Sequence, residues 1–101
     1  MVAAKRRPFS LGQVVATPGA LEAFQRTGQQ PSEFLRRHAL GDWGDLDQHD
    51  MRANDEAVRH EGDPKRQARV LSTYRLKDGT KIWIITEHDR SVTTILLPSE
   101  Y

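Results

Sequence analysis

The sequence predicts one α+β domain in which about three helices are followed by a C-terminal antiparallel β-meander. Three observations predict it. A chain of 101 residues can bury a single modest core. Between Thr17 and Val58, helix-start residues are followed repeatedly by apolar residues at three-and-four spacing. From Val70 onward the chain is rich in β-branched and aromatic residues and is cut by two turn sequences, Asp78-Gly79 and His88-Asp-Arg-Ser91.

Residues 1–8 read as a basic flexible tail and 9–101 as the domain. Gln13-Val-Val-Ala-Thr17 suits a short strand ended by Pro18-Gly19, with Thr17 as N-cap and Pro18 at the first helical position, where its missing N–H costs nothing. Leu21 and Phe24 are expected to share one face of this helix, and Gly28 suits its end. A second start lies at Gln30-Pro-Ser-Glu33, with Phe34, Leu35 and His38 recurring until Gly41. Gly41-Asp-Trp-Gly44 is a loop. A third helix starts where Asp47 can cap, with Asp50 at the third helical position and Leu46 and Met51 as a hydrophobic staple. Met51, Asn54 and Val58 then share a face, so Asn54 needs a buried partner. Glu61 to Ala68, with Lys65-Arg66, is a solvated connection that forms a basic patch if it meets Lys5-Arg6-Arg7.

Asp78-Gly79 predicts a two-residue type I′ turn. Counting outward pairs Leu76 with Lys81, Tyr74 with Trp83, Ser72 with Ile85 and Val70 with Glu87. The second turn pairs Glu87 with Val92, Ile85 with Thr94 and Trp83 with Leu96, so the strand from Lys81 to Glu87 is central. One face then carries Tyr74, Trp83 and Leu96 beside Ser72, Ile85, Thr94 and Glu87. The other carries Ile82, Ile84, Ile95 and Leu97 with Leu71, Thr73, Thr86 and Thr93. The helices are expected on this second, more aliphatic face, leaving the Tyr74–Trp83 face open.

Fifteen Lys and Arg against fourteen Asp and Glu leave a net charge of +1, so the chain lacks the strong positive field of a protein that binds nucleic acid mainly through phosphates. The chain has no cysteine, which removes disulfides and thiolate chemistry and fits a reducing compartment. No apolar run is long enough to span a bilayer, and no apolar h-region follows the first charges, so a cytoplasmic protein without a membrane partner is expected. Asp42, Asp45, Asp47, His49 and Asp50 form an acidic cluster, but a calcium loop started at Asp45 lacks glycine at its sixth position, and acids that answer a helix dipole explain it better. No metal and no cofactor are expected.

Arg37-His38, Gly41-Asp-Trp-Gly44, Asn54, Arg69-x-x-Ser72-x-Tyr74 and the closing run Trp83-Ile-Ile-Thr-Glu-x-Asp-Arg90-Ser-x-Thr-Thr-Ile-Leu-Leu-Pro-x-Glu-Tyr101 resemble a family of small bacterial proteins carried on plasmids and integrated elements, usually labelled plasmid-related. The resemblance covers roughly residues 9–101, with extra residues here around Asp63 to Ala68. Some members are labelled as a subunit of a type I restriction methylase; this chain has neither a glycine-rich cofactor loop nor an Asn-Pro-Pro-aromatic motif. The resemblance implies a mobile-element setting and no particular activity.

No nucleophile elbow, phosphate loop or Ser-His-Asp spacing is present. Two functional readings follow. In the first, the protein is a binding module of anti-defence or maintenance type, engaging a host or element-encoded protein or nucleoprotein through Trp43, Tyr74, Trp83 and Arg90, with nucleic acid left open as a partner. The alternative is a metal-independent ribonuclease using His38, Arg69, Ser72, Glu87 and Arg90, with Tyr74 and Thr94 nearby; helices first and antiparallel sheet last is an order similar to the barnase and RelE class. The ordinary readings beside these are Trp43 covering the end of the core, His38 satisfied by a carbonyl at a helix end, and Arg90 solvated or paired with Asp89 or Glu87.

Overall fold

The computed structural model describes residues 9–101; the basic tail expected over 1–8, and with it any patch formed with Lys65-Arg66, lies outside the described residues. The elements are β1 (Gln13–Ala16), α1 (Pro18–Thr27), α2 (Pro31–Ala39), α3 (Gln48–Arg59), β2 (Val70–Arg75), β3 (Lys81–Thr86), β4 (Val92–Leu96) and a final 3-10 turn, Pro98–Glu100. The fold is α+β. Its sheet has the order β1-β4-β3-β2, with β1 parallel to β4, so the sheet is mixed: the antiparallel meander gains a parallel first strand from far away in the chain.

Local signals set the helix starts. Thr17 Oγ1 accepts from the Ala20 N–H at 3.3 Å, and Asp47 Oδ1 accepts from the Asp50 N–H at 2.8 Å. Gly28 ends α1 in the left-handed region. The inner face of α1 differs from the expectation: Leu21 is 52% exposed, and the buried residues are Ala20, Ala23, Phe24 and Thr27. Two alanines let the helix lie close to the sheet, and that rotates Leu21 outward. On α2, Phe34 and His38 are buried. On α3 it is Asn54 and Ala57, flanked by half-buried Met51 and Val58.

The first hairpin departs from the expected register. The Leu76 N–H donates to Thr80 O at 2.8 Å and the Gly79 N–H to Leu76 O at 2.9 Å, with Gly79 at φ +90°, so the loop is Lys77-Asp78-Gly79. Asp-Gly serves this longer loop, with glycine in its left-handed last position, as well as it serves a type I′ turn. Contacts from α1 and the residues after it hold the longer form: Arg26 reaches Asp78 Oδ2 and Thr80 Oγ1, both at 3.1 Å, and Gln29 Oε1 accepts from the Lys77 N–H at 2.8 Å. Tyr74 therefore faces Ile82, Ser72 faces Ile84 and Thr73 faces Trp83. One added residue turns every β2 side chain to the other face, so Tyr74 and Ser72 point at the helices and Leu71 and Thr73 away from them. The second hairpin has the expected register, Trp83 opposite Leu96 and Ile85 opposite Thr94.

The main core joins Ala20, Ala23, Phe24 and Phe34 to Tyr74, Leu76, Ile82, Ile84 and Ile95. A second cluster, Phe9, Leu11, Ala39, Trp43, Ala57 and Val70, closes one end of it. The outer edge of β2 is covered by the chain itself. Asn54 Nδ2 donates to Leu71 O at 2.7 Å and Asn54 Oδ1 accepts from the Leu71 N–H at 3.1 Å. Beyond it, the Thr73 N–H donates to Trp43 O at 3.1 Å and the Asp45 N–H to Thr73 O at 2.7 Å. Gly44 makes this approach possible, because a Cβ there would collide with Thr73 O and the Tyr74 ring.

Candidate functional site

Two groups of polar and aromatic side chains lie on opposite faces of the sheet. On the inner face the new register aligns Ser72, Thr86 and Thr93 beneath His38 of α2, and all four are fully buried. His38 Nδ1 lies 2.5 Å from Ser72 Oγ and Nε2 lies 2.9 Å from Thr86 Oγ1; Thr86 Oγ1 is 2.7 Å from Thr93 Oγ1, which is 2.6 Å from Leu11 O. Proton counting orients the chain. Leu11 O can only accept, so the Thr93 hydroxyl donates to it and accepts from Thr86. Thr86 has then used its one proton and accepts from His38 Nε2–H, which leaves Nδ1 as acceptor for the Ser72 hydroxyl. Every group is satisfied with a neutral imidazole. Burial, and next the positive charge of Arg90, push His38 down to about 3, which keeps it neutral.

The walls of this chain are aromatic. Phe9 and Trp43 meet the His38 ring edge-on at centroid distances of 5.2 and 5.8 Å and stack on each other at 5.9 Å. Trp43 is buried and its Nε1 donates to Asp55 Oδ1 at 2.9 Å, so it closes the end of the core and does not offer a ring to a partner. Arg90 is also buried, which corrects both its solvated reading and its partner-facing one. Its Nε donates to Glu61 Oε1 at 3.0 Å, its Nη1 donates to Ala68 O at 2.7 Å and Glu87 O at 3.0 Å, and its Cζ sits 5.5 Å from the Phe9 ring centroid. Nη2 is 2.9 Å from Glu61 Oε1 but off line for a hydrogen bond, so that contact is ionic. Arg90 adopts φ +60°, a conformation that costs a non-glycine residue of order 1 kcal/mol, and this clamp on the 61–68 connection offsets it.

Tyr74 belongs to the same interior. Its hydroxyl donates to Asp42 O at 2.5 Å, Arg37 stacks 4.7 Å from its ring centroid, and burial pushes the phenol up to about 12. The expected Tyr74–Trp83 row does not exist, because the register places the two rings on opposite faces.

The outer face carries Trp83 with Thr73 and Leu96 beside it across the sheet and Lys81 and Ile85 along the strand; by alternation Arg69 and Glu87 share this face further along. Tyr101, 71% exposed, meets the Trp83 ring edge-on at 5.7 Å, and Arg69 Nη1 donates to its hydroxyl at 2.7 Å. The 3-10 turn that carries Tyr101 here is pinned by Glu100, whose carboxylate accepts from Thr17 Oγ1 at 2.5 Å, the Leu97 N–H at 2.9 Å and the Gly19 N–H at 3.1 Å. The Thr17 hydroxyl, foremost, holds the Glu100 carboxyl below its usual range.

Of the five ribonuclease candidates, His38, Ser72 and Arg90 are therefore inside the fold, while Arg69 and Glu87 lie on the other side of the sheet. General acid–base catalysis needs a group within reach of substrate and a pKa near the working pH. His38, with both ring nitrogens bonded to protein hydroxyls, offers neither. Of the four binding candidates, Trp83 alone reaches the surface. Sequence reasoning missed Tyr101 and Glu100 as parts of a site; the available signal was Pro98, which ends strand alternation and starts a helical turn.

In the acidic segment, Asp42 pairs with Arg37 at 2.7 Å, Asp45 with Arg75 at 3.4 Å, and Asp47 caps α3. Among the described residues no group of three His, Asp or Glu is placed to hold a metal ion, and no helix is long and apolar enough to cross a membrane. No protein-family model, curated protein or solved structure matches the chain.

Proposed function

We propose that the protein is a binding module without catalysis of its own, acting on a host or element-encoded protein or nucleoprotein through the outer sheet face around Trp83, Tyr101 and Arg69. The observation that carries this reading is the contrast in access. An indole and a phenol stand together at the surface beside a guanidinium, while His38 and Ser72 are sealed within it. Aromatic and arginine side chains dominate the energy of interface centres. The proposed setting is the bacterial cytoplasm and the proposed origin a mobile element, on the resemblance of Arg37-His38, Gly41-Asp-Trp-Gly44 and the run from Trp83 to Tyr101.

The test is affinity capture from a bacterial host lysate with wild-type protein and with Trp83→Ala, each before and after nuclease digestion. The reading expects one identified partner, retained by wild type and reduced about tenfold or more by Trp83→Ala while the circular dichroism spectrum stays native. Equal capture by both proteins overturns the assignment of this face. Capture that vanishes with nuclease identifies the partner as nucleoprotein or nucleic acid.

A further inference from the structure

The two edges of the sheet are treated differently by the chain. The β2 edge is closed by Asn54 on Leu71 and by the 43–45 loop on Thr73. The β1 edge has no such cover among the described residues. In the parallel ladder, the Gln13 N–H donates to Ser91 O at 3.0 Å and the Thr17 N–H to Ile95 O at 2.9 Å, so alternate groups face β4 and the N–H and C=O of Val14 and Ala16 point away from the sheet. Gln13-Val-Val-Ala16 contains no charge and no proline, the usual devices that keep an edge from pairing. Val14 and Val15 are 42% and 39% exposed.

Beside this edge runs a groove of about 480 Å³ between β1 and α2, lined by Leu11, Val14, Leu35, Ala39 and Leu40 on its apolar side and by Ser32 and Arg36. Leu40 is 42% exposed. Arg36 is the charged group of the lining, and among the described residues no carboxylate is within ion-pair distance of it.

We propose that β1 is a strand-addition site for an extended segment of another protein whose groove-facing side chains, at every second position, are apolar with one Asp or Glu among them. Exposed backbone N–H and C=O groups at strand spacing match the hydrogen-bonding pattern of an added β-strand. The groove accepts the side chains of one strand face, apolar against Leu35 and Leu40 and one carboxylate against Arg36. This charge requirement selects the occupant. A second copy of the chain would present another Gln13-Val-Val-Ala16, which has no acid, and residues 1–8 carry Lys5, Arg6 and Arg7 and no acid. The site is separate from the Trp83 face and stands or falls independently of it.

The probe is a short peptide of pattern Val-Thr-Glu-Thr-Val, whose alternate positions set Val and Glu on one face, with Val-Thr-Lys-Thr-Val as its counterpart, titrated into the full-length chain and followed by amide hydrogen exchange. The acidic peptide is expected to bind saturably, to slow exchange at Val14 and Ala16, and to bind about tenfold or more tightly than the basic one. Arg36→Glu should reverse that preference. Val14→Pro removes an N–H that the fold itself does not use, so it should abolish peptide binding while leaving the sheet intact; if it fails to fold, Arg36→Glu decides. Trp83→Ala should bind the acidic peptide like wild type. No slowing at Val14 and Ala16, an unchanged preference in Arg36→Glu, or slowing at these amides in protein alone as it dimerises with concentration overturns the proposal.

Discussion

On the inner face of the sheet, Ser72, Thr86 and Thr93 set hydroxyls among Tyr74, Ile82, Ile84 and Ile95, and His38 seals them with every proton assigned. On the outer face Trp83 of β3 meets an exposed Tyr101, whose hydroxyl accepts from Arg69. Residues that look reactive in a sequence, a histidine with serine and threonine, here form an internal strut. The indole of Trp83, within the central strand, and the phenol of Tyr101 are those that meet water. A buried polar chain is favourable when complete and costly when one member is lost, because the partner left behind stays desolvated. The inner face should therefore answer mutation through stability and the outer face through binding.

The largest effect should come from Tyr74→Ala. It removes a buried ring packed 5.3 Å from Phe34 and a hydrogen bond to Asp42 O, and truncating such aromatics costs about 3 to 5 kcal/mol. Urea denaturation should show a large loss, up to complete unfolding; a variant as stable as wild type would return Tyr74 to the outer face.

Acid should act next, and through the inner face. His38 is held at about 3 in the fold against 6.5 when unfolded, so the native state binds fewer protons between those values. Its contribution is fully present above pH 6.5 and is lost as pH falls toward 3. At about 1.4 kcal/mol per unit, the whole window amounts to several kcal/mol. Wild type and Trp83→Ala should lose stability together across it, whereas His38→Gln should show a shallower slope. Parallel slopes in wild type and His38→Gln would mean that His38 is protonated without penalty.

Asn54→Ala should cost about 1 to 3 kcal/mol, since it uncovers both backbone groups of Leu71 on the β2 edge. A thermal melt reads this directly, and an unmoved midpoint would show water replacing the amide at no cost. Trp83→Ala should have the smallest stability effect, within about 1 kcal/mol, as a half-buried side chain on one cross-strand row. A loss like that of Tyr74→Ala would erase the distinction between the faces.

The positions of α1 and α3 and the second hairpin were legible because the groups that decide them are neighbours in sequence. Thr17 and Asp47 cap the turns that follow them, Gly28 ends α1, and Glu87 meets Val92 across a short turn. Asn54 was legible too, as one polar residue in an apolar helical row, though its partner was not. The first hairpin was not, since Asp78-Gly79 fits two loop lengths and the choice lies with Arg26 and Gln29, about fifty residues earlier. That single residue of register moved Tyr74 and Ser72 inside and assembled the His38 chain. The same kind of distance hid the parallel docking of β1 on β4, the Arg90–Glu61 clamp and the Arg69–Tyr101 pair. The sequence by itself determined where helices start and stop and that an alternating strand run closes the chain, because capping and turn energies act over a few residues. The tertiary structure decided which face each side chain occupies, and so where a site can be, because register and burial depend on contacts between segments far apart in the chain.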